Sequence, residues 1–233
     1  MKKIIMAVPK GRILNELNPL LKKTGIIPED DFYSKDSRKL MFETNLNFLK
    51  LIRVRSFDVA TFVAIGAAQI GIAGDDVLNE FNYDEIYKVL DLEIGKCRLS
   101  IAKKNISTSN VSDNEGHILV ATKYKNIVTN HFAKKGIRAE CIKLNGAIEL
   151  APKLGICTTI VDLVSTGKTI KENNLKETEV LLKITSKLII NKIAYKLMND
   201  NIISILEKFK KNNSWLNSYL KTKKIFQKNL KNY

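Results

Sequence analysis

Thr159-Ile160-Val161-Asp162-Leu163-Val164-Ser165-Thr166-Gly167-Lys168-Thr169-Ile170 is the stretch that decides how the chain is read. An apolar run rich in β-branched residues suits a strand of a parallel sheet. It ends in a short loop of hydroxyls and glycine that opens a helix. Ser165, Thr166, Gly167 and Thr169 can turn amides and hydroxyls toward one point, and a helix start adds unpaired N–H groups there. That combination holds a phosphate. Gly167-Lys168-Thr169 also spells the end of a nucleotide-triphosphatase loop. That motif needs a glycine five residues earlier, where Asp162 stands. A carboxylate beside a bound phosphate faces sugar hydroxyls or a metal rather than the phosphate itself. Phosphate at one end and ribose diol at the other describe a phosphoribosyl group. The plain alternative is an ordinary strand–turn–helix connection with Asp162 as a turn residue.

Working outward, residues 3–8 read as a first strand, followed by Lys10-Gly11-Arg12 and a helix over 13–23 closed by Gly25. A glycine between two cations just after a strand lets the backbone approach an anion closely. In 46–54, Arg53 and Arg55 stand one strand period apart, so both are expected to face one side. Asp58 is expected to cap a short helix ending at Gly66. Residues 69–76 read as a buried strand and a tight turn into another helix. Gly71 and Gly74 imply close approach of backbone or ligand. Asp75 is either a helix cap or a ligand-facing carboxylate. A second unit starts near Leu90, with strands over 97–102, 118–121 and 139–144, a helix over 124–135, and a polar loop over 105–116. Asn145-Gly146-Ala147 leads into a short helix through Glu149, just before the loop strand. Residues 180–190 read as one long apolar strand. The expected division is 1–90 for the first part of domain one, 91–179 for domain two with its phosphoribosyl-phosphate loop, and 180–233 for a return to domain one with a helical tail. Short alternation of strand and helix makes the class α/β with mostly parallel sheets.

The 233 residues suffice for one large or two small cores, and 45% hydrophobic residues is ordinary for a soluble domain. No apolar run reaches membrane-spanning length and no export signal stands at the start, so a cytoplasmic location without membrane contact is expected. Cys97, Cys141 and Cys157, with His117 and His131, show no metal-site spacing, so no metal-ligating residue is assigned. The formal charge is +15, but residues 201–233 supply +7 of it, through eight lysines against Glu207. The remainder forms no basic stripe with interleaved aromatics, which argues against nucleic acid as a partner. Ile202, Ile203, Ile205, Leu206 and Phe209 give one apolar helix face. Asn212-Asn213-Ser214 interrupts it, and Trp215, Leu216, Leu220, Ile225 and Phe226 resume a looser pattern. That tail reads as a docked helix with a lysine-rich outer face or as a partner-binding extension.

Taken together, the chain resembles the catalytic subunit of ATP phosphoribosyltransferases. The resemblance rests on Ala7-Val8-Pro9-Lys10-Gly11-Arg12, Arg55-Ser56-Phe57-Asp58-Val59 and the run from Gly66 to Leu78. It continues with Ala121-Thr122-Lys123-Tyr124, the run from Leu144 to Pro152, the loop strand itself, Asn173-Asn174-Leu175 and Leu188-Ile189-Ile190-Asn191, in one order over about residues 3–210. It implies a two-domain body similar to periplasmic binding proteins, with the active site in the cleft between domains. The implied reaction, the first step of L-histidine biosynthesis, joins 5-phosphoribosyl 1-pyrophosphate to N1 of the adenine of ATP and releases pyrophosphate. On this basis Ser165–Thr169 bind the 5-phosphate, Asp162 orients the ribose, and Glu149 contacts the ribose or braces the loop. Gly11, Gly71 and Asp75 join the substrate-binding set, while Lys10, Arg12 and Arg55 neutralise ATP or the departing pyrophosphate. Mg²⁺ is the implied counter-ion. The chain stops too soon for the long form's regulatory domain. It is therefore similar to the short form, whose catalytic subunits associate with one another and with a regulatory subunit similar to histidyl-tRNA synthetase in a hetero-octamer inhibited by histidine. Departures from the family pattern are Gln69 for aspartate, Ala60 for proline, Cys157-Thr158 for Ala-Asp, and Val120 and Lys187 for arginines. They leave open a catalytically weakened member. The shared body also leaves open a solute-binding module, although such modules are usually exported.

Overall fold

The computed structural model describes residues 3–34, 36–104 and 116–211. Its elements run β1 (Ile4–Pro9), α1 (Arg12–Thr24), β2 (Met41–Glu43), β3 (Leu49–Val54), α2 (Ser56–Ala64), β4 (Ile70–Gly74), α3 (Asp75–Phe81) and β5 (Ile86–Asp91). They continue with β6 (Cys97–Lys104), β7 (His117–Thr122), α4 (Lys125–Lys134), β8 (Arg138–Lys143), α5 (Leu150–Lys153), β9 (Thr159–Val164), α6 (Lys168–Glu172), β10 (Leu175–Ile184), β11 (Ser186–Asn191), α7 (Lys192–Leu197) and α8 (Asn199–Lys211). A 3₁₀ turn at Asp30–Phe32 and the short β2 were not expected from the sequence.

The chain forms two compact units. Of the described residues, the first takes those up to Ala73, 83–95 and 186–211. Its six-stranded sheet has the order β2-β3-β1-β4-β11-β5. β1 lies parallel to β3 and β4, whereas β2 and β5 pair antiparallel with β3 and β11. β1 is buried on both faces, as a central strand with helices above and below must be, and this explains its unbroken apolar run. α1 turns Leu14, Leu17 and Leu21 inward at helical spacing. Gly25, left-handed at φ 69°, ends it, and the Ile26 and Gly25 amides return to Leu21 and Lys22. α8 buries Ile202, Ile205, Leu206 and Phe209 in the same core, so this part of the tail is a docked amphipathic helix. The apolar residues expected to follow it, from Trp215 to Phe226, lie outside the described residues.

The second unit takes 74–82 and 96–185. Its sheet has the order β10-β6-β9-β7-β8. β7 is parallel to β8 and β9, while β6 is antiparallel to β9 and β10, so both sheets of this α/β chain are mixed. Ala102, Ala121, Ile148, Ala151, Ile160 and Ile170 close a core beneath β9.

Three sequence expectations need correcting. The apolar run 180–190 is two strands in two sheets, interrupted at Thr185. The carbonyl of Thr185 accepts from the Asp75 amide at 3.0 Å, and its amide and hydroxyl donate to Asp75 Oδ2 at 3.2 and 3.3 Å. This pairing, with the contacts of Asp76 and Glu80, draws 74–82 into the second unit and moves the expected boundaries at 90 and 180. Arg53 and Arg55 do not share a face, because β3 ends at Val54 and Arg55 is already the cap residue of α2. Asp58 sits in the first turn of α2 instead of capping it, and its amide donates to the Arg55 carbonyl.

Candidate active site

β9 carries Asp162 to the edge of the loop with its carboxyl half-buried and Oδ1 accepting from the Leu163 amide at 2.8 Å. Burial pushes this carboxyl up to about 6. The Leu163 N–H opposes the shift, the Glu149 charge adds to it, and Lys123 pulls against it. Glu149, at the start of α5, and Asp162 therefore lie within electrostatic reach of one another. Lys123, which sequence reasoning passed over as a site residue, completes this group.

The loop itself is open. Ser165, Thr166, Lys168 and Thr169 are exposed, and Gly167 turns it with φ 79°, a left-handed conformation that suits glycine. The Lys168 amide donates to Thr166 Oγ1 at 3.4 Å. α6 has only five residues, so its dipole is small, and anion binding here falls to loop amides and hydroxyls. The loop is braced from the sheet. Arg98 Nη1 donates to the Ser165 carbonyl at 3.2 Å, while its Nε and Nη2 form a bidentate pair with Glu177 at 2.6 and 2.7 Å. The Ser100 hydroxyl donates to the same carboxylate, and the fork holds Glu177 below the usual carboxylate range. Arg98 and Glu177 are 79 residues apart and belong to no motif, so the sequence carried no signal for them. Beside the loop lies a cavity of about 460 Å³ lined by Arg98, Thr166, Gly167, Lys171 and Glu177 among others.

A second support ties α3 to α4. The buried Tyr124 hydroxyl donates to Asp76 Oδ2 at 2.9 Å. Burial raises both groups, which keeps the proton on the phenol. Glu80 accepts from the Asn126 and Ile127 amides at 3.0 and 3.1 Å. It supplies the N-terminal cap that α4 lacks from its own cap residue, Tyr124. Asp75, the first residue of α3, has its carboxylate on Thr185.

In the first unit, register brings two of the expected cations together. β1 and β3 are parallel with Pro9 opposite Val54, so Lys10 and Arg55 leave adjacent strand ends, about 4.8 Å apart in the sheet. Both are exposed. The carboxyl ends of parallel strands are where α/β sheets bind ligands. Gly11 follows with φ 87° and ψ −142°, while a Cβ there would meet nothing within 4 Å, so the backbone angle, not crowding, requires glycine. Arg12 Nη2 donates to the Gly95 carbonyl at 3.3 Å and Nε lies 3.7 Å from Glu16, which accepts from the Gly95 amide. Gly71 is buried under α2, where a Cβ would stand 2.7 Å from Val63 Cγ2, so its smallness serves helix–sheet packing.

The family departures have structural roles too. Gln69 accepts from the Ile5 amide at 2.8 Å and donates to the Gly66 carbonyl at 3.1 Å, a pairing that aspartate could only half fulfil. Lys187 pairs with Asp91 at 2.5 Å. Ala60, Val120, Cys157 and Thr158 are buried. Among the described residues no group of three or more His, Cys, Asp or Glu side chains is arranged to hold a metal ion. No helix among them is long and apolar enough to cross a membrane.

The fold is that of a two-unit α/β protein with a mixed sheet in each unit. A family model, HisG: ATP phosphoribosyltransferase, matches residues 55–211. An ATP phosphoribosyltransferase of Paramagnetospirillum magneticum is 54% identical over 210 residues, covering 90% of this chain and 96% of that protein. One of Rhodospirillum rubrum is 53% identical over 209 residues, covering 89% and 92%. Among solved structures, the ATP phosphoribosyl transferase (HisG:HisZ) complex from Thermotoga maritima matches with a TM-score of 0.76 at 31% identity, covering 90% of this chain and 98% of the matched one. The periplasmic aliphatic sulphonate binding protein SsuA from Escherichia coli matches with a TM-score of 0.54 at 11% identity, covering 95% and 76%, which is a likeness of fold alone. The chain belongs to the ATP phosphoribosyltransferase family. It is an enzyme, a glycosyltransferase of histidine biosynthesis.

Proposed function

We propose that the second unit holds the phosphoribosyl donor and the first unit holds the polyphosphate of ATP. The reaction joins the anomeric carbon of 5-phosphoribosyl 1-pyrophosphate to N1 of the adenine of ATP and releases pyrophosphate. N1 already carries a lone pair at neutral pH, so the demands are alignment and stabilisation of the leaving group. Ser165–Thr169 receive the 5-phosphate, and Asp162, ionised above about pH 6, accepts from the ribose hydroxyls. Glu149 lies beside it. Lys10 and Arg55, with Arg12 next to them, neutralise ATP or the departing pyrophosphate. Gly11 gives an anion access to the backbone, whereas Gly71 and Asp75 act through packing and the Thr185 pairing. The observation that carries this division is the half-buried carboxylate at the mouth of an open hydroxyl–glycine loop braced by Arg98.

Mg²⁺ fits this donor set as a counter-ion of the polyphosphates, held by their oxygens, by water and by no more than one carboxylate of the chain. It would supply charge neutralisation on the leaving pyrophosphate. The enzyme works in the cytoplasm. The complex named for the Thermotoga maritima structure supports a regulatory subunit for this chain as well. We extend that to self-association of the catalytic subunits in a histidine-controlled hetero-octamer.

Replacing Thr169 with valine tests the loop. Thr169 is exposed, so the fold is expected to be unaffected. Loss of a hydrogen bond to a charged phosphate should raise the KM for 5-phosphoribosyl 1-pyrophosphate by about tenfold to a hundredfold. The KM for ATP should stay within about twofold, since ATP does not contact the loop. Steady-state kinetics with each substrate varied in turn decides it. Equal loss for both substrates, or none, would remove the loop from the phosphate site.

A further inference from the structure

We infer that a cavity of about 340 Å³ in the first unit is a subsite for the terminal phosphates of ATP, built around Arg53 and Asn18. The inference rests on the reading that this unit binds ATP, and it assigns residues that no motif singled out.

Arg53 is only 8% exposed. Its Nη1 donates to the carbonyls of Phe32 and Ser34, and its Nη2 to those of Ser37 and Lys39. Four carbonyl dipoles orient the guanidinium without neutralising it, and no carboxylate among the described residues pairs with it. A buried charge without a counter-ion is costly. Its Nε is buried without a hydrogen-bond partner, and so is Asn18 Oδ1. Both residues line the same cavity.

The rest of the lining points to an anion. Lys10 adds a second cation. The Ser34 and Ser37 hydroxyl oxygens already accept from the Ser37 and Lys39 amides, so their protons are left to donate. Burial raises the Tyr33 phenol, which stays a donor. No acidic residue of the described chain lines the space. The Asn18 amide presents either oxygen or nitrogen after a half-turn, so it too can donate. The polyphosphate tail is the anion that ATP brings. The cavity is also of ligand size, within the range of about 300–1,000 Å³ usual for small-molecule sites.

Two substitutions at Asn18 separate this from its rival. Asn18→Asp places a like charge against the phosphates while giving Arg53 a counter-ion. ATP affinity, read by calorimetry on the full chain, should fall about tenfold or more. Affinities for AMP and for 5-phosphoribosyl 1-pyrophosphate should be unchanged, and the melting temperature should hold or rise. Asn18→Leu removes the amide without adding charge and should weaken ATP binding by less than Asn18→Asp does, by about tenfold at most. The subsite is overturned if Asn18→Asp binds ATP normally, or if AMP loses as much as ATP. It is equally overturned if leucine hurts more than aspartate, because the Asn18 carbonyl would then be accepting from the adenine amino group. Wild-type protein that releases pyrophosphate while Asn18→Asp binds ATP normally overturns the subsite alone. Wild-type protein that binds no ATP overturns the reading of the unit as well.

Discussion

Asp162→Asn should cut kcat/KM for 5-phosphoribosyl 1-pyrophosphate by about two orders of magnitude, because a charged acceptor for the ribose hydroxyls is lost. The same change should raise the melting temperature at pH 7.5. The stability effect comes from the carboxyl raised to about 6 by burial. The unfolded chain releases this proton near the ordinary value of 3.8, well before the folded protein does. As pH rises from about 4 to 6, the unfolded state is therefore favoured, and above 6 the loss of stability is complete at about 3 kcal/mol or less. Asparagine removes that penalty, so the gain should be present at pH 7.5 and vanish toward pH 4. Activity has the opposite sense. In the wild type it should climb through pH 6 as Asp162 ionises, and that limb should be missing in the variant. Thermal melts at the two pH values and a pH–rate profile check both halves. A variant that is less stable at pH 7.5, or that keeps wild-type kcat/KM, would show that Asp162 serves the fold and not the substrate.

Arg53→Leu should destabilise the protein by about 3–5 kcal/mol in denaturant unfolding. One guanidinium ties four carbonyls spread over residues 32–39 and stacks on the Phe42 ring with 4.5 Å to the centroid. Leucine fills only part of the volume and leaves those acceptors without donors. Arg53→Lys should recover little, since a single ammonium cannot reach two pairs of carbonyls in a planar fork. A loss below about 1 kcal/mol would mean that water satisfies the carbonyls as well as the guanidinium does.

The contrast between Arg53 and Arg55 shows what the sequence could convey. Two-residue alternation holds only while the strand lasts, and β3 stops at Val54. One arginine therefore turned inward to organise a loop, and the other was left exposed at the strand end. The Asp162 loop was legible because an apolar run, a carboxylate and a hydroxyl–glycine turn are all local features. So was the return of the chain to the first sheet, but the break at Thr185 was not. It is set by Asp75, 110 residues away, and hydropathy alone does not reveal where an apolar run changes sheets. The same holds for Arg98 with Glu177, and for Glu80 capping a helix other than its own. Local chemistry could be read from the sequence, whereas pairings made by tertiary folding could not.

The most direct test of phosphoribosyl transfer is pyrophosphate release by the purified chain given ATP and 5-phosphoribosyl 1-pyrophosphate, assayed alone and with the matching synthetase-like subunit. Release should require both substrates, fall by about two orders of magnitude in Asp162→Asn, and be accompanied by N1-phosphoribosyl-ATP as the product. Absence of pyrophosphate in both settings, or release that does not need ATP, would contradict it.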